Sequence, residues 1–324
     1  MLMEKISLIA DIGGTNARFG IVDLDGVHNL EYLACKDYAG PVEAAEAYLA
    51  KIGLKQRPEV GVFAVAGPVH GDLVNFTGSP WTFRISKSQV DLGLKIFDVM
   101  NDFKAVALAV PGLSQTLIRK IAGGESEAHY PIGVLGPGTG LGVASLFWDG
   151  VDKYIANPGE GGHVTMPATS EREFDIFHRM KAKYHHISAE RVCSGKGLEN
   201  LYSAIRVLDH KFDLPDLEAP EISKRAMENS CAICRESLDL MLAFLGRVAG
   251  NLALTLNARG GIYIAGGIPT KLGEYFYQSR FVEEFQTKGR MSELAKSIPV
   301  YMIKHDAIGL LGLEQTARQY LIKS

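Results

Sequence analysis

Ala10-Asp11-Ile12-Gly13-Gly14-Thr15-Asn16-Ala17-Arg18-Phe19-Gly20 is the stretch on which the reading of this chain turns. An apolar run (Ile6, Leu8, Ile9, Ala10) ends in Asp11, and a second (Phe19, Ile21, Val22) leads away. The pattern predicts strand, tight turn, strand, with polar side chains gathered at the tip. Adjacent glycines let peptide N–H groups approach an anion closely and converge on it, and Thr15 and Asn16 add side-chain donors. Asp11, just before the turn, is placed to hold a magnesium ion or its water shell beside a bound phosphate. An ordinary Gly-Gly hairpin would use the same residues, so the segment needs support from elsewhere.

That support comes from a second segment of the same form. Ile132 to Leu135 is a short apolar strand, Gly136-Pro137-Gly138-Thr139-Gly140 a glycine-rich tip, and Leu141 to Trp148 the returning strand. Eleven positions separate Thr15 from Gly26, and eleven separate Thr139 from Gly150, each Gly closing an Asp-Gly turn. Two such loops suggest two related half-structures facing one nucleotide. Other nucleotide signatures are excluded. No G-x-x-x-x-G-K-[ST] occurs, and the glycines from Gly136 to Gly142 fall at every second position, which fails the dinucleotide spacing. The H-R-D and D-F-G landmarks of protein kinases are also missing from the sequence.

The chain has 324 residues, room for two domains, with 47% hydrophobic and 22% charged residues. A formal charge of −3 gives no basic excess for nucleic acid or a membrane surface. Cys35, Cys193, Cys231 and Cys234 are too few and scattered for a disulfide framework, which fits reduced thiols in a cytoplasm. The N-terminal apolar stretch is too short for a signal segment. The apolar stretch Leu238 to Leu256 carries Asp239, Arg247 and Asn251 and reads as a core helix, with Gly246 and Gly250 permitting close packing.

Residues 1–37 predict a three-stranded meander. A helix follows over 41–51, a buried strand at Val60 to Val65, and a strand at Ile96 to Val99 leading into a helix that Pro111-Gly112 ends. Residues 120–130 read as a surface loop. Helices are expected near 171–184, 196–206, 220–231 and 235–257, and a last strand, Pro299 to Ile303, precedes a C-terminal helix. The alternation indicates an α/β fold, with a hinge at Pro111-Gly112.

Several segments carry residue types suited to chemistry. Asn101-Asp102 lies where a strand gives way to a helix. It can be a helix cap, or Asp102 can act as a general base kept ionised by the helix start. Pro158-Gly159-Glu160-Gly161-Gly162-His163 can be a flexible turn or can wrap a small polar ligand. Ser188-Ala189-Glu190-Arg191 reads as a helix start capped by Ser188. Ala265-Gly266-Gly267-Ile268-Pro269 follows a strand, with Pro269 suited to the first helical position and the glycines to a flat ring or ribose. Cys231-x-x-Cys234 supplies two metal ligands of the four that zinc needs and reads as structural.

Taken in order, these segments resemble the bacterial glucokinases of the hexokinase–actin ATPase superfamily, from Leu8 to about Leu313. The stretches Ser188 to Val192 and Gly246-Arg247-Val248-Ala249-Gly250-Asn251 belong to the match. The resemblance implies two ribonuclease-H-like (actin-like ATPase) domains around a central cleft, where glucose and MgATP meet. The C-terminal helix would return to the first domain, giving 1–112 with 303–324 and 113–302. It implies that Asp102 is the base for the sugar 6-hydroxyl, and that Asn101, Glu160, His163 and Glu190 hydrogen-bond the other hydroxyls. Residues from Ala10 through Asn16, with Gly13 to Thr15 at their centre, and Gly138, Thr139 and Gly140 would hold phosphates. Gly266 and Gly267 would face the adenosine, and Asp11 would hold Mg2+ through water. Related zinc-bearing sugar kinases carry cysteines after the Gly-Gly-His segment. None lies between His163 and Cys193 here, so no zinc is expected. Thr77-Gly78-Ser79-Pro80 departs from the Thr-Asn usual before Trp81, which bears on sugar preference. The expected protein is a cytoplasmic homodimer acting on glucose and ATP, with no nucleic-acid or membrane partner. Another hexose kinase of this fold, or a sugar-sensing regulator without kinase activity, is the alternative. A regulator would need a DNA-binding segment ahead of the first loop, for which ten residues leave no room.

Overall fold

The computed structural model describes residues 5–76, 81–305 and 307–323. The Thr77-Gly78 departure lies outside them. The chain forms two compact units, Met1–Leu113 with Ala307–Ser324, and Ser114–Asp306. The second division falls after the last strand, not within it at 302/303, and Lys304 N–H still donates to Leu117 O at 2.8 Å within the second unit.

The first unit contains β1 (Ser7–Ile12), β2 (Asn16–Val22), β3 (Val27–Ala34), α1 (Pro41–Ile52), β4 (Val60–Val65), β5 (Leu73–Asn75), β6 (Thr82–Arg84), α2 (Ile85–Asp91), β7 (Ile96–Asn101) and α3 (Asp102–Ala109). The second contains β8 (Ile118–Ala122), β9 (Ile132–Pro137), β10 (Leu141–Trp148), β11 (Tyr154–Gly159), α4 (Glu171–Met180), α5 (Gly195–Leu208), α6 (Ala219–Met227), α7 (Ala232–Leu256), β12 (Gly261–Ile264), α8 (Gly267–Leu272), α9 (Glu274–Gln278), α10 (Phe281–Gln286), α11 (Ser292–Ser297) and β13 (Val300–Ile303). After it, α12 (Ile308–Lys323) rejoins the first unit.

In the first unit the sheet order is β3-β2-β1-β4-β7, an antiparallel meander running into the parallel strands β1, β4 and β7. Alternation along β1 sorts its side chains by face. Leu8, Ala10 and Ile12 join Ala44, Ala45 and Tyr48 of α1 in one core. Ile9 joins Ala105 of α3 and Leu310, Leu313 and Ala317 of α12 in the other. Gly312 lets α12 close on α3, since a β-carbon there would run into the carbonyl of Ala105.

The second unit repeats the plan with one strand added, β11-β10-β9-β12-β13-β8. Its core is dominated by α7, whose Gly246 and Gly250 face the carbonyls of Phe281 and Phe285 and let α10 lie close. Alpha7 is long and apolar enough to cross a membrane, but two-thirds of its apolar window (67%) is buried inside the protein, as a core helix would be.

Several expectations are corrected. Residues 120–122, expected to open a surface loop, belong instead to the edge strand β8, made regular by antiparallel pairing with β13. Pro158 and Gly159 end a strand, not a loop, because β11 pairs with β10 as far as Val143↔Gly159. Ser188 does not open a long helix: it precedes one 3-10 turn, Ala189–Arg191, and its hydroxyl makes no capping bond. Ser194 caps the helix instead, accepting from Gly197 N–H at 2.9 Å. Pro269 is the third residue of α8, not the first.

Candidate active site

Both glycine tips follow the carboxyl ends of parallel strands. In the first unit Ile12 is level with Val65, and Val65 with Asn101. Two strand spacings therefore separate the first tip from Asn101-Asp102, about 10 Å. Ala66 N–H donates to Ile12 O at 3.0 Å and keeps the ends of β1 and β4 together. In the second unit Leu135 is level with Ile264, and Ala265 N–H donates to Leu135 O at 2.8 Å. This brings Gly266-Gly267 to the root of the second tip. A β-carbon on Gly266, whose φ is 92°, would press on Pro137 O at 2.6 Å.

The tips are closed by their own backbone. Gly13 N–H donates to Asn16 O at 3.0 Å, and Gly138 N–H to Gly140 O at 2.8 Å. Among the described residues, Gly14, Thr15, Thr139 and Gly140 give no N–H to a carbonyl outside the strand ladders. Those are the groups available to an anion. None of Gly13, Gly14, Gly138 or Gly140 has a positive φ, so none is held here by an unusual turn. Gly138 and Gly267 have nothing within 4 Å of where a β-carbon would stand.

Asp11 shares its face of β1 with Ile9 and meets its antiparallel partner Arg18, whose Nη1 donates to Oδ2 at 3.0 Å. Burial pushes the Asp11 carboxyl above its ordinary 3.8, and Arg18 opposes the shift. Oδ1 has no protein donor among the described residues and can accept from a metal-bound water.

Asn101 is the cap of α3. Its Oδ1 accepts from Phe103 N–H at 2.9 Å and Lys104 N–H at 3.2 Å, while its Nδ2 donates to Gly67 O at 3.1 Å. One amide N–H therefore remains for a ligand. Asp102 follows as the first residue of α3, with its carboxylate in the first turn. Its Oδ1 also accepts from Phe103 N–H at 2.8 Å.

In the second unit, Glu160, His163 and Glu190 converge beside the second tip. Beta11 delivers Glu160 and a 3-10 turn delivers His163, whose N–H donates to Glu160 O at 2.9 Å. Their side chains are 67% and 60% exposed, with Nε2 and Oε2 3.8 Å apart, open to a ligand. The intervening glycines are required by β10. A β-carbon on Gly161 would strike the Val143 side chain at 2.7 Å, and one on Gly162 would strike Leu141 O. Residues 164–166 then lace to 187–189, through Ala189 N–H to Val164 O and Met166 N–H to Ile187 O, both at 2.9 Å. That lacing sets Glu190 beside His163. The Glu190 Oε2 accepts from Leu141 N–H at 3.0 Å, at the exit of the tip.

Sequence reasoning did not find the support under this frame. Arg247 of α7, 5% exposed, donates to Glu173 Oε1 and Oε2 at 3.1 and 3.0 Å, to Glu284 Oε2 at 3.1 and 3.2 Å, and to Pro167 O at 3.1 Å. All five guanidinium N–H donors are engaged. Glu173 in turn accepts from Thr169 N–H at 2.7 Å, so the segment leaving His163 is anchored to α7. Burial pushes the Glu173 carboxyl up, but Arg247 and Thr169 more than reverse it and hold it below 4.5. The only sequence signal was a charged residue in an apolar helix, which calls for a partner without saying where.

Cys231 caps α7, its Sγ accepting from Cys234 N–H at 3.4 Å. Burial and the Cys231 thiol push Cys234 up to about 12. Among the described residues, no group of three or more His, Cys, Asp or Glu is arranged to hold a metal. Magnesium held largely by phosphate oxygens and water needs only one or two carboxylates, which the Asp11 environment fits.

A family model described as Glucokinase matches residues 8–320. The chain is 44% identical over 315 residues to a glucokinase of Paramagnetospirillum magneticum, covering 96% of this chain and 97% of that one. It is 46% identical over 307 residues to a glucokinase of Aromatoleum aromaticum, covering 94% and 92%. A crystal structure of glucokinase from an Antarctic psychrotroph superposes with a TM-score of 0.86 at 31% identity, over 97% of this chain and 99% of the other.

Proposed function

The chain belongs to the glucokinase family and is an ATP-dependent hexose kinase that phosphorylates glucose, and from that premise we propose that the γ-phosphoryl group goes to the 6-hydroxyl, with Asp102 as the general base. The observation that carries this reading is the division of labour between Asn101 and Asp102. Asn101 Oδ1 takes two N–H groups as the cap, while the Asp102 carboxylate shares the Phe103 N–H through its Oδ1 and stands at the helix start, about 10 Å from the first tip, where it can accept a hydroxyl proton.

Phosphoryl transfer needs little covalent help from a protein. Positioning and charge neutralisation do most of it. The N–H groups of Gly14 and Thr15, and of Thr139 and Gly140, would hold phosphate oxygens. Glu160, His163, Glu190 and the remaining N–H of Asn101 would hold the other sugar hydroxyls, and the open space over Gly267 would take the adenosine. Magnesium, held through water on Asp11, would supply charge neutralisation on the phosphates. The proposed setting is the cytoplasm, where the four free cysteines stay reduced, and the proposed assembly is a homodimer.

The test is product identity together with one variant. NMR of the reaction with MgATP should show glucose 6-phosphate, and 6-deoxyglucose should not react. Asp102→Asn should lower kcat by on the order of 10²–10⁴. Glucose affinity should change far less, because the amide still bonds a hydroxyl, and the helix keeps its Asn101 cap. A loss shared equally between affinity and kcat would reassign Asp102 to orienting the sugar, and near-normal turnover would reassign it to the helix cap.

A further inference from the structure

We propose that Glu190 couples the two substrates, carrying the presence of the sugar to the phosphate tip through one carboxylate. The inference rests on the reading that Glu190 binds a sugar hydroxyl. It goes beyond it by giving the same side chain a second partner, the backbone of the loop that would hold ATP.

The segment from Glu190 to Gly195 straddles the second tip. On one side Glu190 Oε2 accepts from Leu141 N–H at 3.0 Å. On the other, Gly195 N–H donates to Gly138 O at 2.9 Å. Ser194 Oγ donates to Glu190 O at 2.8 Å, so the two holding points belong to one short, self-bonded stretch. The tip between them carries the Thr139 and Gly140 N–H groups. Gly140 is needed for this contact: a β-carbon there would occupy the place of Glu190 Oε2. Among the described residues Glu190 has no cationic partner. Its other oxygen, Oε1, is therefore the one a sugar hydroxyl would take.

A side chain held only at Oε2 by a peptide N–H keeps rotational freedom. A hydroxyl on Oε1 removes that freedom and fixes the Leu141 N–H and the tip behind it. Whichever substrate binds first bears the ordering cost, and the second then binds more tightly. Ordering one long side chain corresponds to a factor of about 2–10 in affinity. Linkage requires that factor to be the same in both directions.

The experiment measures glucose affinity with and without saturating Mg-AMPPNP, and Mg-AMPPNP affinity with and without glucose, by calorimetry on the full chain. The native protein should show one shared factor in both directions. Gly140→Ala displaces only the far end of a flexible side chain and should abolish this contribution, as should Glu190→Ala. An unchanged factor in either variant, or a native factor of one, overturns the coupling. Glu190→Ala should also weaken glucose binding measured alone. If it does so while the factor persists, the coupling fails and the sugar-binding role stands. If glucose binding alone is unaffected, the sugar-binding role itself fails. Thermal melts of both variants, expected near native, exclude misfolding as the cause.

Discussion

Asp11 and Glu190 are the carboxylates beside the two glycine tips, and they are held in opposite ways. Asp11 faces a guanidinium, Arg18, across a strand pair at 3.0 Å, with the two side chains 20% and 36% exposed. Glu190 faces a peptide N–H at the same distance. The sheets beneath them share one strand plan, β3-β2-β1-β4-β7 against β11-β10-β9-β12-β13. A shared backbone plan thus fixes where a turn lies but not the charge beside it. A carboxylate already paired with arginine keeps one oxygen, Asp11 Oδ1, for a further donor such as water. One resting on an amide retains its acceptor capacity for a hydroxyl.

The same contrast holds for what stiffens each unit. The first has an ion pair open to solvent, the second the buried cluster of Arg247, Glu173 and Glu284. The largest effect should follow from breaking the second. Arg247→Met leaves the buried Glu173 carboxylate without its cation and Glu284 with Arg280 alone, and should cost about 3–5 kcal/mol in denaturant unfolding. Because the segment carrying Glu160 and His163 hangs from this cluster through Pro167 and Thr169, the KM for glucose should rise more than that for ATP.

The pH dependence sharpens the point. Glu173 is held below its ordinary 4.5 in the folded protein, so its ionised form stabilises the fold. That contribution is fully present above 4.5 and is lost as pH falls through the folded value. Denaturation curves at stepped pH should therefore show the gap between native protein and Arg247→Met closing below about 4.5. A gap constant down to pH 3 would mean that packing of the arginine, not its charge, is what counts. The smallest effect belongs to the first unit. Arg18→Met removes a part-exposed pair and should change unfolding stability by at most about 1 kcal/mol. A loss as large as that of Arg247→Met would erase the contrast between the units.

What could be read from sequence followed the range of the interactions. Both hairpin tips and the capping at the Asn101-Asp102 junction rest on contacts between near neighbours, while the strand at Val60–Val65, though it pairs with the distant β1 and β7, is marked by an unbroken apolar, fully buried run. Beta8 was not legible, because Ile118-Arg119-Lys120-Ile121-Ala122 becomes a strand only by pairing with residues 300–303. Glu190 reached its position through a partner 49 residues away, and Arg247 through partners 37 and 74 away. Ser188 misled for a local reason: Ser194, six residues on, meets the same capping rule and has Gly197 N–H within reach. Asn101 and Asp102 are equally good caps by type, and only the geometry shows that Asn101 takes two N–H groups and Asp102 shares one of them.

The contact of Gly312 with Ala105 has a consequence for the order in which the molecule can be completed. Alpha12 supplies Leu310, Leu313, Ala317 and Leu321 to the core beneath α3 and β1, yet it is translated after the whole of the second unit. The second unit, an unbroken stretch of chain, has all its parts as soon as residue 306 clears the ribosome. The first must wait with one face of its sheet covered only in part, by α3, until the helix at 308–323 arrives. On the ribosome, then, the unit begun first is the one finished last.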